Sequence, residues 1–548
     1  MIGHGAALGR PRRPIDAPSR RTRFRIHPHL MNLMRAAATV GGLTMMSRIL
    51  GFARDVLVAG LLGAGAAADA FFVAQKLPNL LRRMFAEGAF SAAFVPIYNR
   101  IRVESGPAAA HAFAEAALSV LVCSLLVILL AAQAAMPWVV TVFAPGFSGD
   151  PEKFNLAVDL ARIVFPYIVF ISAVALVGGV LNSLGRFGAF AGAPVLFNLC
   201  LIAGCVVSLQ HWVDADPAVV QAWALMLSGV VQLGAMLVAA NRAGAELRFR
   251  LPRLTPEVKR LLKVAAPAAL GAGVYQVNVL VDTMIASLLA EGTVSALYYA
   301  DRLVQLPLGV VGIAVGTALL PLLSTRIKEG ALDDARNHMN RAMEMTLLVA
   351  LPALVGLATL GMPIVATLFE RGAFTPEATT RTVEVMTVLA FGLPAFVLAK
   401  VLSPGFYARE DTATPTRYAV VALIANVVLN LAFMQPLAHM GIALATALSA
   451  WINVFLLARR LNRDRLLVGD ARLRRTLPRI LLANLLFAAA ILGVLEALPP
   501  FGTMPHAARV LWLTLLIGAT IPVYVAFSLI TGAAHLQDFK GMLRRRKR

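Results

Sequence analysis

The chain has 548 residues, 59% hydrophobic and only 14% charged, with a mean hydropathy of +0.75 and a formal net charge of +21. A soluble domain carries about 25% charged residues, so this chain cannot cover its own apolar surface, and a soluble fold is excluded. The alternating pattern of a membrane barrel is absent. The basic residues neither gather into one patch nor interleave with aromatics, so no nucleic-acid partner is expected.

Residues 1–30 are rich in Arg and Pro and hold no apolar run, which predicts a disordered basic N-terminal extension. Met31 is the expected start of the folded chain, and no signal peptide is visible. From there, apolar stretches recur near 37–62, 68–98, 112–144, 156–183, 191–209, 218–240, 264–288, 297–324, 342–369, 381–403, 418–434, 442–458, 480–497 and 510–532. About 20 apolar residues cross a hydrocarbon core of about 30 Å, and a backbone in lipid must satisfy its own hydrogen bonds. The expectation is an all-α polytopic membrane protein of about fourteen transmembrane helices.

Loop charge sets the orientation. The loops 63–67, 145–155, 210–217, 289–296, 370–380, 435–441 and 498–509 hold three basic residues, Lys153, Arg371 and Arg509; the intervening loops and the C-terminal tail hold thirty. The positive-inside rule then predicts that both termini are cytoplasmic. Cys123, Cys200 and Cys205 lie in apolar stretches without a CxxC spacing and imply no disulfide framework. The histidines show no ligand spacing.

The chain also repeats itself. At a shift of 227, Asp55 falls on Asp282, Ala59 on Ala286, Leu61 and Leu62 on Leu288 and Leu289, Gly65 on Gly292, and Phe71 and Phe72 on Tyr298 and Tyr299. PWVVTVFAPGF from Pro137 resembles PIVATLFERGAF from Pro363 at a shift of 226. Six spans separate the copies, so the repeat is parallel. The predicted organisation is an N-lobe of six spans (31–245), a C-lobe of six (246–465), two further spans (466–535) and a basic cytoplasmic tail (536–548). Transporters place their substrate path between such halves.

Nine basic residues fall inside predicted spans: Arg48, Arg54, Lys76, Arg82, Arg83, Arg162, Arg302, Arg381 and Lys400. Each costs roughly 2.5–3.5 kcal/mol at a helix centre. Arg162, Arg381 and Lys400 lie near span ends, where snorkelling suffices. The other six fall on the first, second and eighth spans. On the second, Asp69, Lys76, Arg83 and Glu87 share one stripe, beside a second stripe of Gln75, Asn79 and Arg82. Asp69–Lys76 and Arg83–Glu87 can partly neutralise each other, which leaves a structural charge network as one reading. The excess of cations over acids favours an anionic ligand, and arginine binds phosphate bidentately. On the first span Arg54 lies off the Arg48–Asp55 face, which predicts a kink near Gly51.

The segments MMSRILGFARD (45–55), ADAFFVAQKLPNLLRRMFAEGAFSAAFVPI (68–97), YYADRLVQLPLGVVGIAVGTALLPLLS (298–324) and PGFYAREDTATP (404–415) resemble the signature segments of the lipid II flippase family (MurJ/MviN), from Met31 to the C-terminus. That family lies in the multidrug/oligosaccharidyl-lipid/polysaccharide exporter superfamily. The resemblance implies two six-helix lobes around a cationic cavity, a lipid-tail groove on spans 13 and 14, and lipid II as cargo for peptidoglycan synthesis. It also implies alternating access, with membrane lipids and the cell-wall synthesis machinery as partners. The family's important charged positions match Arg48, Arg54, Asp69, Arg82, Arg83 and Arg302, with Glu87 as a gating partner. Together with the charge pattern, this places substrate binding at Arg48, Arg54, Lys76, Arg82, Arg83 and Arg302, and gating or charge pairing at Asp55, Asp69, Glu87 and Asp301. Sodium at Asp282, or proton movement, together with the membrane potential, is the candidate for coupling. A flippase for another polyprenyl-pyrophosphate oligosaccharide shares these features. A multidrug exporter of the same superfamily would want an acidic cavity. A membrane-bound glycosyltransferase or phosphatase would need catalytic acids or His in aqueous loops, where only Asp150, Glu152, Asp214 and Asp216 stand, so no enzyme is expected.

Overall fold

The computed structural model describes residues 28–82 and 90–534. The body of the N-terminal extension, the tail 536–548, Arg83 and Glu87 lie outside the described residues. Among those described the chain is helical throughout, with no strand. In order the helices are α1 (Pro28–Leu62), α2 (Ala66–Arg82), α3 (Phe90–Ala134), α4 (Met136–Phe143), α5 (Pro151–Val164), α6 (Tyr167–Ser183), α7 (Phe187–Leu209), α8 (Pro217–Arg242) and α9 (Pro256–Ser287). There follow α10 (Thr293–Lys328), α11 (Leu332–Thr359), α12 (Gly361–Leu368), α13 (Pro376–Ala390), α14 (Leu393–Leu402), α15 (Pro404–Tyr407), α16 (Ala413–Arg463), α17 (Ala471–Glu496) and α18 (His506–Ile530).

One start signal recurs. Asp150, Asp216, Thr255 and Thr375 each precede a proline, and each side chain accepts a backbone N–H of the first turn of α5, α8, α9 or α13. Proline at the first helical position gives up an N–H that would have been orphaned anyway, and the Asp or Thr oxygen satisfies another.

Nine helical stretches among the described residues are long and apolar enough to cross a membrane by length and composition. Two of them turn back on themselves. Phe94 and Phe113 of α3 stack with ring centroids 5.4 Å apart, although nineteen residues of straight helix would separate them by roughly 28 Å. The reversal is at Gly106, whose φ of 87° suits a residue without a Cβ. The segment 99–111, expected as a loop, is therefore mostly helix with a sharp turn. Likewise Asn426 Nδ2 reaches Thr446 Oγ1 at 3.5 Å across a break at Ala438, which sits at φ 47° within α16.

Packing gathers the helices into two sets. α1 lies on α7, α7 on α8, α8 and α3 on α6, and α2 on α5. In the second set α10 lies on α11, α13 and α14, and α16 on α9, α13 and α14. α17 lies on α11, and α18 on α17 and α12. The sets meet where α2 touches α10 and where α3 and α4 touch α9. α1 passes Gly51 without the expected break. Asn198 of α7 packs against Gly51, with Nδ2 at ordinary contact distance, 3.4 Å, from where a Cβ would stand.

Candidate functional site

The cations of α1 and α10 converge on one carboxylate. Asp55, 5% exposed, receives Arg54 Nη2 at 2.6 Å and Nε at 3.1 Å on Oδ1. Arg302 Nε stands 3.5 Å from its Oδ2. Tyr298, one turn before Arg302 on α10, donates its hydroxyl to Asp55 Oδ1 at 3.2 Å and accepts Arg302 Nη2 at 3.1 Å. Arg54 also donates Nη1 to Asn198 Oδ1 at 2.9 Å and lies over the Phe197 ring of α7. Asn198 in turn donates to the Ser47 carbonyl at 2.9 Å. Two guanidiniums thus share a single carboxylate in an interior where unbalanced charge is costly. The cluster keeps one positive charge to offer.

Burial divides the predicted cations. Arg54 is 6% exposed. It does not line an aqueous vestibule as expected, because Asp55, Asn198 and Phe197 enclose it. Arg302 is half-buried, and Arg48, one face further along α1, is exposed. The Arg48 guanidinium lies against bare Gly309 of α10, where a methyl group would collide with it. Arg82 is half-buried and donates Nε to Asn79 Oδ1 at 3.2 Å. Asp301 is exposed and accepts from Gln305.

Lys76 and Asp69 do not form the ion pair their spacing suggested. Lys76 donates to Thr283 Oγ1 of α9 at 2.9 Å and stands within electrostatic reach of Asp282, Asp301, Asp69 and Arg302. Asp69, 1% exposed, pairs instead with Lys153 of α5 at 2.8 Å. It also accepts Gly292 N, Ser295 N and Ser295 Oγ, each at 2.8 Å. It therefore ties the start of α10 to α2 and α5. Lys153, assigned to a loop by the sequence, is 8% exposed because α5 begins two residues earlier and turns it inward over the Phe147 ring. Arg381, read as snorkelling, reaches across to the Glu291 carbonyl.

These last contacts belong to a sealed end of the bundle. Ala66 N donates to Glu291 Oε1 at 2.7 Å, Tyr299 Oη to the Gly63 carbonyl at 3.0 Å, and Ala373 N to the Gly60 carbonyl at 2.9 Å. Phe72 stacks on Tyr298 at 3.8 Å, and Tyr299 meets Phe369 and Phe374 at 5.2 and 5.4 Å. An aromatic layer thus separates the Asp55 cluster from the 63–65, 288–292 and 369–374 turns. The rings that meet, Phe72 and Tyr299, stand at equivalent places in the repeat.

Asp282 sits in a different setting. Its Oδ1 accepts Asn430 Nδ2 at 2.8 Å and its Oδ2 accepts Asn278 Nδ2 at 3.3 Å. Asn430 also donates to Asn426 Oδ1 at 2.9 Å, while its own Oδ1 is buried without a hydrogen-bond partner. Among the described residues no group of three His, Cys, Asp or Glu side chains gathers as for a multivalent metal. Sequence reasoning missed Asn198, Asn430, Tyr298 and Lys153. A lone Asn inside an apolar helix was the available signal for the first two.

Fold and interior together define a multi-pass α-helical membrane protein of the transporter class. The profile of the lipid II flippase MurJ family matches residues 58–511. A Rhizobium meliloti (strain 1021) protein named "Probable lipid II flippase MurJ" is 43% identical over 94% of this chain and 97% of its own length. A Burkholderia cenocepacia protein named "Lipid II flippase MurJ" is 38% identical over 78% of this chain and 83% of its own. A solved structure titled "Lipid II flippase MurJ, inward closed conformation" superposes with a TM-score of 0.75, at 27% identity, over 90% of this chain and 98% of that one. An inward-facing multidrug resistance MATE transporter of the MOP superfamily shares the fold at a TM-score of 0.61 and 15% identity, over 78% of this chain and 98% of its own. The chain belongs to the lipid II flippase MurJ family, whose members are multi-pass proteins of the bacterial inner membrane.

Proposed function

We propose that this protein flips the lipid-linked peptidoglycan precursor, lipid II, from the inner to the outer leaflet by alternating access through a cationic central cavity. The observation that carries the reading is the Arg54–Asp55–Arg302 cluster, two guanidiniums on one carboxylate, in a chain 43% identical to a named lipid II flippase. Arg302, Arg48, Lys76 and Arg82, with Arg83, hold the pyrophosphate and acidic peptide groups. Arg54 acts from behind by holding Asp55 in place beside Arg302. Asp55 and Asp301 balance the cluster between loads, and Glu87 serves as a gating partner.

In this reading the chain crosses the membrane fourteen times: α2 and the first arm of α3 make one crossing, the second arm of α3 with α4, α5 with α6, α11 with α12 and α13 with α14 make one each, and α16 makes two. Residues 31–245 and 246–465 are two lobes, and α17 and α18 offer a groove for the polyprenyl tail. Both termini are cytoplasmic, so the sealed end faces outward and Asp69 is part of its gate. Outward movement of one negative charge is assisted by about 2.3 kcal/mol per 100 mV of inside-negative potential. Asp282 and Asn430 Oδ1 would hold a sodium ion in the C-lobe, which would supply a charge that favours one lobe arrangement. Partners are lipid II, the surrounding lipids and the cell-wall synthesis machinery. An exporter of cationic drugs is disfavoured, because the interior is basic.

The test is lipid II accessibility at the outer face after depletion of the protein, with rescue by the parent chain and by Arg302→Glu. Rescue by the parent and not by the variant is expected. Full rescue by Arg302→Glu would sink the anion-binding role.

A further inference from the structure

The sealed end contains two contacts that the repeat makes equivalent. In the first, Gly146 of the Pro145–Gly149 turn lies on Ser287 at the end of α9, with Gly146 N donating to Ser287 Oγ at 3.1 Å. A Cβ on Gly146 would run into the Ser287 carbonyl. In the second, Gly372 lies on Gly60 near the end of α1, and a Cβ there would run into the Gly60 carbonyl. Ala373 N, next in the chain, donates to that carbonyl at 2.9 Å. The shift of 227 carries Gly60 onto Ser287, and the shift of 226 carries Gly146 onto Gly372. Each lobe therefore inserts a bare glycine turn against the helix end of the other. Backbone is in contact with backbone in both places, a closeness that only glycine allows.

The two contacts differ in one respect. Glu370, two residues before Gly372, pairs with Arg509 of α18 at 2.9 Å, and both side chains are largely buried. Arg509 Nε also donates to the Met504 carbonyl at 2.9 Å. The repeat equivalent of Glu370 is Ala144, fully buried, which can hold no such partner. We infer that Gly146 on Ser287 and Gly372 on Gly60 are paired latches that hold this end shut, and that Glu370–Arg509 ties the second latch to the C-terminal helix pair. α18 then moves with the 369–374 turn when the latches part, so whatever occupies the face of α17 and α18 biases the gate. The inference rests on the alternating-access reading.

The test uses the full chain in cells, with Cys123, Cys200 and Cys205 changed to Ala and Ala296→Cys as the reporter. Ala296 is fully buried beside Ser295, which Asp69 holds at this end of the bundle. The rate of its labelling by an impermeant maleimide added from the sealed side reports opening. Gly146→Ala is the key variant, because no positive φ complicates it. Gly149→Ala in the same turn is the control, since a Cβ there meets open space. Gly146→Ala should raise labelling about tenfold, the population change given by about 1.4 kcal/mol, and Ser287→Ala should raise it less. Glu370→Ala and Arg509→Ala should also raise it, with the double charge swap restoring the parent rate. Equal labelling of Gly146→Ala and Gly149→Ala, in a parent that does label, overturns the latches alone. Labelling unmoved by Glu370→Ala or Arg509→Ala overturns the tie to α18. A parent that flips lipid II without ever labelling overturns both the latches and alternating access.

Discussion

Asp55 and Asp282 stand at the same place in the two copies of the repeat, and the chain has given them opposite surroundings. Asp55 is gripped by two guanidiniums and a tyrosine hydroxyl. Asp282 is met by two carboxamides, with Lys76 bonded to the neighbouring Thr283 rather than to the carboxylate. A duplicated backbone thus supplies two equivalent acids, Asp55 buried and Asp282 half-buried, and the residues facing them differ. The first becomes a fixed counter-charge that positions arginines. The second is held by amide donors on both oxygens, with no guanidinium on it. One repeat position is thus met by guanidiniums in the first copy and by carboxamides in the second.

The largest way to break this contrast is to make the acids neutral. Asp55→Asn leaves the buried Arg54 guanidinium uncompensated, which costs roughly 3–5 kcal/mol, while the half-buried Arg302 can turn to water. A clear drop in thermal midpoint of the purified protein, together with failed complementation of a flippase-depleted strain, is the expected outcome. Asp282→Asn should do far less to stability, because carboxamides can hydrogen-bond to another amide nearly as well as to the carboxylate. Equal losses in the two variants would mean that surroundings do not distinguish the sites. Next in size is Arg302→Glu, which sets an acid against Asp55 in place of a cation. Flipping should fall at least about 100-fold, the equivalent of roughly 2.7 kcal/mol, measured as lipid II reaching the outer face.

The sequence made this contrast only half legible. The repeat was readable because its residues keep a nearly constant offset, and the buried cations because charge is rare in apolar spans. Helical class followed from hydropathy alone. The partners were hidden for a physical reason: they are reached across helices, where spacing along one chain says nothing. Asp69 and Lys76 share a stripe of α2, yet Asp69 turned to Lys153 on α5, a residue that loop counting had placed in water. Gly51 reads as a kink, and Asn198 of α7 packs against it. Asn198 and Asn430 each close a network and left no mark beyond an amide in an apolar run.

Asp282→Asn also sharpens the functional side of the comparison. If Asp282 and Asn430 hold sodium, transport by the parent should slow about tenfold, a coupling of roughly 1.4 kcal/mol, when sodium is replaced by choline. The variant should be slow in both media. A variant as fast as the parent in sodium would show that Asp282 carries no coupling role, and would leave the Asp55 cluster untouched.

The smallest expected effect isolates the hydroxyl between the two arginines. Tyr298→Phe keeps the ring that stacks on Phe72 at 3.8 Å, so the aromatic layer stays sealed and packing is nearly unchanged. It removes the donor to Asp55 and the acceptor for Arg302 Nη2 together. Asp55 still has Arg54 at 2.6 Å, so the carboxylate is not orphaned and the loss is that of hydrogen bonds to charged groups, about 1.5–3 kcal/mol at most. Arg302, half-buried, can recover part of it from water. The net effect should be about 1 kcal/mol in stability, with flipping slowed about fivefold because Arg302 is less well placed. Pairing Tyr298→Phe with Asn198→Ala, which frees Arg54 Nη1 instead, tests whether the two guanidiniums act as a unit. Additive effects would mean two independent cations, whereas a double variant much worse than the sum would mean that Asp55 holds one rigid cluster.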